Sequence, residues 1–338
     1  VRAVVFSAPH RWDLAEVPIP EPGPGQVLLR VLRTGVCGTD LHLLAGGFLA
    51  RFPLIPGHEI VGAVAAWGEG VTGPPVGTAV AVDNTVLCGV CGPCRRGTPL
   101  YCRDFHSLGV TDPGGFAEYL VAAAGTCFPL DGLTPEVAVL TEPLACAVHG
   151  ADVLALRPGS DVLVLGAGPT GLLLSQLLLH GGAARLTVAA PSPHKLDLAR
   201  FFGVDATVRL DRVDPGPGLE RLRAAAPEGY DAVVEATGAP HLLAAAPALT
   251  RTGGTVLVYG MADEAARVPL SPYEIFAREL TVRGSFAQVH CFERAMLALR
   301  TGRVRTEGIV TDPVPLDGFA AALAAVADSR SVKAVVLA

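Results

Sequence analysis

Lysine is almost absent from this chain. Lys195 and Lys333 are the only two in 338 residues, and every other basic position is arginine. Net charge is −6, so the chain carries no basic field of the kind that holds nucleic acid or anionic lipid. Charged residues are few as well, at 17% against 50% hydrophobic. That excludes a disordered chain and leaves ample material for buried cores. No apolar run reaches the roughly 20 residues a bilayer-spanning helix needs. The densest, Leu172 to Leu179, is broken by Ser175 and Gln176. No charged–apolar–small leader opens the chain, so no secretory signal is expected. There is no internal repeat and no compositionally disordered tail. Of the 8 cysteines, four cluster and the rest are scattered, which suits metal binding in a reducing, cytoplasmic compartment better than a disulfide framework. The length suggests two domains, at roughly 150 residues each.

The first third reads as short strands broken by proline and glycine turns: Val4 to Phe6, Val27 to Leu32, a strand leading into Gly62 with hairpin and turn from Gly62 to Gly73, then Ala79 to Val82. This is the pattern of a β-rich, barrel-like domain. Two of its stretches carry chemistry: Gly35-Val36-Cys37-Gly38-Thr39-Asp40-Leu41-His42 and Pro56-Gly57-His58-Glu59-Ile60-Val61-Gly62. Thiolate, imidazole and carboxylate are what zinc takes, and three protein ligands leave one position open. Cys37 and His58 are therefore expected to share a reactive metal with Glu59 and a later carboxylate beside it. The bland reading makes Cys37 a small apolar filler and His58 a satisfied polar group. Glu142, before Pro143 at a helix start, is either that second carboxylate or a complement to the helix dipole.

Cys88, Cys91, Cys94 and Cys102 follow C-x2-C-x2-C-x7-C spacing on a Gly/Pro loop. Four thiolates this close make a closed tetrahedral zinc site that stabilises a loop and does no chemistry. An iron–sulfur cluster takes the same four ligands, and a nucleic-acid zinc ribbon sits poorly with the acidic charge.

From Asp161 the pattern changes. Val162 to Leu165 is an all-apolar strand, followed at once by Gly166-Ala167-Gly168-Pro169-Thr170-Gly171 and a helix from Leu172 to His180. G-x-G-x-x-G between strand and helix lets the backbone approach a dinucleotide pyrophosphate at the helix N-terminus. The second strand, Arg185 to Ala190, is expected to end in an acid that binds the adenine ribose. Ala190 stands there, followed by Ser192, His194 and Lys195. Lack of the carboxylate leans toward NADP(H) over NAD(H); the other reading makes Ala190 a packing residue and Lys195 a ribose ligand. Strands at Tyr230 to Glu235, after a Gly253-Gly254 turn, and at Leu280 to Gly284 alternate with helices, which argues for a parallel, doubly wound sheet. Thr237, Ser285 and Phe286, just beyond these strands, are further expected nucleotide contacts.

Together these motifs, in this order, resemble the zinc-dependent medium-chain alcohol and polyol dehydrogenases, most closely the sorbitol, arabinitol and threonine dehydrogenase branch. The resemblance covers essentially the whole chain. It implies an α/β protein: a GroES-like β-rich catalytic domain from residues 1–145 and 285–338, and an inserted Rossmann domain, residues 146–284. It implies a catalytic zinc on Cys37, His58 and Glu59 or Glu142, a structural zinc on the four cysteines, and NADP(H) or NAD(H). A secondary alcohol or polyol would lose its proton through Thr39 and, by way of the cofactor ribose, His42, and a hydride to the nicotinamide. Ordinary readings make Thr39 a turn cap and His42 a surface residue. The partners expected are a small-molecule substrate and further copies of the chain, as dimer or tetramer, with no nucleic acid or membrane. Alternatives are threonine oxidation, a zinc-free quinone or enoyl reductase on the same fold, or a non-catalytic nucleotide sensor.

Overall fold

The computed structural model describes all residues, 1–338. The chain folds into two compact units, one from Val1–Ala145, Gln288–Thr301 and Thr306–Ala338, the other from Cys146–Ala287 and Gly302–Arg305.

The first unit is built on the strand Gln26–Val36. It pairs antiparallel with Glu59–Trp67, Tyr119–Ala123 and, from the far end of the chain, Lys333–Leu337. Its seven-stranded sheet extends through Ala79–Val82 to Cys127–Pro129 on one side and Val310–Pro315 on the other. Alternation builds the core: Val27, Leu29 and Val31 face inward onto Ile60, Val64, Val80, Val82 and Leu120. A second core gathers Phe6, Trp12 and Phe116 around Phe319. The strand Glu59–Trp67 runs straight through Gly62, where a hairpin was expected to begin. Gly62 lies opposite Val31, beside a register shift between Val31 and Arg33; it serves a bulge, where glycine is as much at home as in a turn.

The second unit holds a six-stranded sheet in which every pairing is parallel. Numbered within the unit, its strands lie in the order 3-2-1-4-5-6, the doubly wound arrangement. Ser160–Leu165 is central, and Val162 to Leu165 are fully buried, as a strand covered by helices on both faces requires. Gly253 and Gly254 do not precede the fifth strand; they lie inside Thr250–Val258, beside a register shift opposite Tyr230 and Ala232. No helix in the chain is long and apolar enough to cross a membrane.

Candidate metal and nucleotide sites

Cys37 follows the central strand of the first unit and is the N-cap of the short helix Gly38–Leu44. Asp40, in that helix's first turn, accepts the Cys37 N–H through Oδ2 at 2.8 Å. Thr39 and His42 sit on the same helix, one turn apart and half-buried, and the Thr39 hydroxyl lies 3.6 Å from the Cys37 thiol. Glu59 opens the neighbouring strand and His58 immediately precedes it. Ligand atoms of Cys37, His58 and Glu59 all lie within 4.8 Å of one another. Glu142, in the first turn of Thr141–Leu154, is buried and acts electrostatically on His58 without joining that triplet.

The donor chemistry fits a cation. Asp40 Oδ1 and His58 Nδ1 are buried without a hydrogen-bond partner and face each other at 3.7 Å. Burial alone would push the His58 imidazole down; its hydrogen bond with Cys37 and the charges of Asp40, Cys37 and Glu142 outweigh burial and raise its pKa to about 10. Burial raises the Asp40 carboxyl to about 6, although His58 opposes the shift. The pocket therefore favours positive charge.

Sequence reasoning missed one group here. Lys333 Nζ donates to both Glu59 oxygens, at 2.5 and 2.7 Å, and to the Val36 carbonyl at 3.2 Å. Both side chains are buried, at 1% and 0% exposure. Gly35 makes the room: it is the cross-strand partner of Glu59, and a Cβ on it would meet Glu59 Oε2 at 1.8 Å. The only earlier hint was the rarity of lysine. Asp40 was also passed over, although an acid three residues past a helix N-cap is a readable capping signal.

In the four-cysteine loop, sulfur–sulfur distances are 3.4 Å for Cys88–Cys102, 3.5 Å for Cys91–Cys94 and 3.8 Å for Cys91–Cys102. The edge of a zinc–thiolate tetrahedron is about 3.8 Å, from bonds of roughly 2.3 Å. Backbone N–H groups of Cys94 and Arg103 lower the Cys91 thiol to about 6, while burial and neighbouring thiols raise Cys94 to about 12. Four thiolates coexist here only around a cation. Cys102→Ser should cut bound zinc from two to one per chain and lower the melting midpoint by roughly 5–10 °C, at about 2–4 °C per kcal/mol. Metal analysis beside a thermal melt checks this; unchanged metal content would refute it.

In the second unit the glycine turn follows Ser160–Leu165 and leads into the helix Pro169–His180, whose N-terminus has Gly168 as N-cap and no side-chain cap. Proline at the first helical position wastes no N–H, and Thr170 follows it. Gly166 has φ of 120° and packs against the next turn: a Cβ there would meet Thr237 Cγ2 at 2.8 Å. That turn is held by Glu235, a buried acid the sequence reading did not single out. Its carboxylate accepts from the Thr237 hydroxyl and from the N–H groups of Thr237 (2.7 Å) and Gly238 (3.0 Å). Its carbonyl accepts from Tyr259 and Gly260. A carboxylate closing an otherwise apolar strand was the available signal. Ala190 is buried at the end of its strand, and Ser192 caps the helix that carries Lys195. Ser285 N–H donates to the Val258 carbonyl, its Oγ is buried, and Phe286 is exposed. Gly171, the last fingerprint glycine, is buried in the helix.

Residues 23–132 match the family model described as the alcohol dehydrogenase GroES-like domain, and residues 169–301 the one described as zinc-binding dehydrogenase. The chain is 44% identical to D-arabinitol dehydrogenase 1 of Uromyces fabae over 335 residues, covering 99% of this chain and 96% of that protein. The chain belongs to the zinc-binding alcohol and polyol dehydrogenase family. It is an oxidoreductase with the expected GroES-like and Rossmann-type folds. This dehydrogenase is also 35% identical to D-altritol 5-dehydrogenase of Agrobacterium fabrum over 321 residues, 94% of this chain and 93% of that one. Among solved structures, a zinc-binding dehydrogenase of Sinorhizobium meliloti 1021 bound to NADP superposes with a TM-score of 0.92 at 33% identity, covering 100% and 99% of the two chains.

Proposed function

We propose that this dehydrogenase oxidises a secondary hydroxyl of an open-chain polyol of the arabinitol type to a ketone, with NAD(P) as hydride acceptor. The observation that carries it is the Cys37–His58–Glu59 triplet within 4.8 Å, with the Thr39 hydroxyl at its edge. The first unit is the catalytic domain and the second the nucleotide domain. Cys37 and His58 would hold the catalytic zinc, with Glu59, neutralised by Lys333, in the same cluster and Glu142 as the second carboxylate, near enough to act on His58. Zinc bound there would supply Lewis-acid catalysis to the substrate hydroxyl. Asp40, 3.7 Å from His58 Nδ1, supports the imidazole through its charge. Thr39 accepts the hydroxyl proton while releasing its own toward His42, one helical turn along, which hands a proton on to water. The glycine turn and the uncapped helix behind it seat the pyrophosphate.

Thr39→Ala should lower kcat by roughly 10²–10⁴-fold, the usual range for one positioned proton-transfer group, with both zinc ions retained. Full turnover of that variant would remove the relay. The function itself is tested with a panel of polyols, simple secondary alcohols and L-threonine against both nucleotides, followed by the absorbance of reduced nicotinamide. Turnover of threonine alone, or one zinc per chain with quinone reduction, would overturn the polyol reading. We further propose a cytoplasmic homo-oligomer. Four cysteines gathered as ligands of one metal ion support a reducing compartment. Tyr273 and Phe276, 76% and 81% exposed beside the open edge strand Thr281–Gly284, support association. A monomeric mass by light scattering would refute it.

A further inference from the structure

We propose that the turn from His106 to Gly115 is a positioning element for the reaction: it presses on the Gly57–His58 peptide and so sets where the His58 imidazole stands. This rests on the reading of His58 as a ligand of the catalytic zinc. His58 lies just outside the ladder of the first sheet, whose register with Gln26–Val36 begins at Glu59, opposite Gly35. Strand pairing therefore does not fix its peptide. Gly57, with φ of 94°, swings the chain toward the strand. The three residues before His58 are held from the side by three successive N–H groups. Gly114 donates to the Ile55 carbonyl at 2.7 Å, Gly115 to the Gly57 carbonyl at 2.8 Å and Phe116 to the Pro56 carbonyl at 3.0 Å.

The contact leaves no room for a side chain. A Cβ on Gly109 would meet the Gly57 carbonyl oxygen and carbon at 2.2 and 2.3 Å and the His58 nitrogen at 2.8 Å. A Cβ on Gly114 would meet the same oxygen and Gly109 Cα, both at 2.3 Å. All of these are backbone atoms, so no flexible chain end can give way, and in a close-packed interior the added methyl moves the His58 peptide or the turn. The turn is stiff in itself. The Ser107 carbonyl accepts the N–H groups of Val110, Thr111 and Asp112, and the Gly109 N–H donates to the Asp112 carbonyl at 2.8 Å. Asn84 anchors it: its carbonyl accepts the Leu108 N–H at 2.9 Å, and its side-chain amide donates to Ser107 Oγ at 2.9 Å. From outside, His106 Nδ1 lies 3.1 Å from Asp112 Oδ1 and latches the two ends together. Both latch side chains are about a third exposed, at 33% and 34%. A pair that solvent reaches thus acts on a buried metal ligand without touching it.

The test uses Gly114→Ala, His106→Ala and His106→Gln in the full chain. Gly114 does not have a left-handed backbone, so alanine there adds a methyl without backbone strain. Cobalt(II) replaces zinc at the three-donor site. Its visible absorption reports ligand geometry, and kcat is taken per bound cobalt. Gly114→Ala should change the cobalt spectrum and lower kcat by roughly 10–100-fold, the usual effect of disturbing what holds a metal-bound histidine, with KM little changed. His106→Ala should move both readouts the same way, with kcat down about 10-fold. His106→Gln, whose amide can still donate to Asp112, should recover most of that loss. A merely structural turn would lower the melting midpoint and the metal-loaded fraction, leaving the spectrum and kcat per cobalt as in wild type. That result in either alanine variant, or no recovery with glutamine, overturns the proposal while leaving His58 a ligand. The latch is partly exposed, so the His106 variants decide even if Gly114→Ala folds poorly. Wild type that takes up no cobalt beyond the four-cysteine loop overturns the ligand reading as well.

Discussion

Replacing Cys37 by alanine should abolish polyol-dependent turnover, lowering kcat/KM by about 10⁴-fold or more, and His58→Ala should do the same. Three donors are the usual minimum for a catalytic zinc. Removing either residue leaves, of the triplet, one donor and a carboxylate already bonded to an ammonium. The Lewis-acid contribution, several kcal/mol of the barrier, is lost with the ion. Bound zinc should fall from two to one per chain, the remaining ion being that of the four-cysteine loop. Cys37 is only half-buried at a helix cap, so Cys37→Ala should melt within a few degrees of wild type once both proteins are stripped with chelator. Kinetics, metal content and melting together separate loss of chemistry from loss of fold. Turnover surviving in either variant, or two zinc ions remaining, would remove the catalytic centre from this triplet.

Separation along the chain decided which of these groups could be read from it. The four-cysteine loop and the glycine turn were legible because each is local: spacing alone brings Cys88, Cys91, Cys94 and Cys102 to one ion, and strand–turn–helix order puts Gly166 to Gly171 at a helix N-terminus. The pairing of Cys37 with His58 was legible only as company, since two lone residues have no spacing rule; the antiparallel pairing of their strands joins them. Lys333 was out of reach. It stands 274 positions from Glu59, and their contact exists because Lys333–Leu337 and Glu59–Trp67 flank Gln26–Val36 on opposite sides. No local pattern encodes a long-range strand order. Gly62 and Gly253 were misplaced for the converse reason: glycine marks bulges and turns alike, and only the partner strand tells them apart.

Lys333→Met should destabilise the metal-free protein by about 3–5 kcal/mol, the cost of leaving one member of a buried ion pair without its partner. The midpoint falls by roughly 6–20 °C, at about 2–4 °C per kcal/mol. Glu59 cannot relax away, because its carboxylate occupies the space left by the missing side chain of Gly35 and is shut off from water. The Glu59→Gln/Lys333→Met double variant, with both charges removed, should recover most of that loss. Zinc should compensate in part: a divalent cation beside the orphaned carboxylate supplies the charge that Lys333 supplied. The deficit of Lys333→Met should therefore be smaller in zinc-loaded than in chelated protein. Its pH behaviour has a definite sign. Burial lowers the Lys333 pKa, but the charges of Glu59 and Cys37 more than reverse this, and it ends above the ordinary lysine value. A base whose pKa rises on folding contributes its full stability below its unfolded value, about 10.4, and loses it only as pH climbs through the folded one. The gap between wild type and Lys333→Met, taken from chelated melts, should stay level from about pH 6 to pH 9 and begin to close only above about pH 10.4. A chelated variant melting within a degree or two of wild type would show that the ammonium is not what holds Glu59 in place.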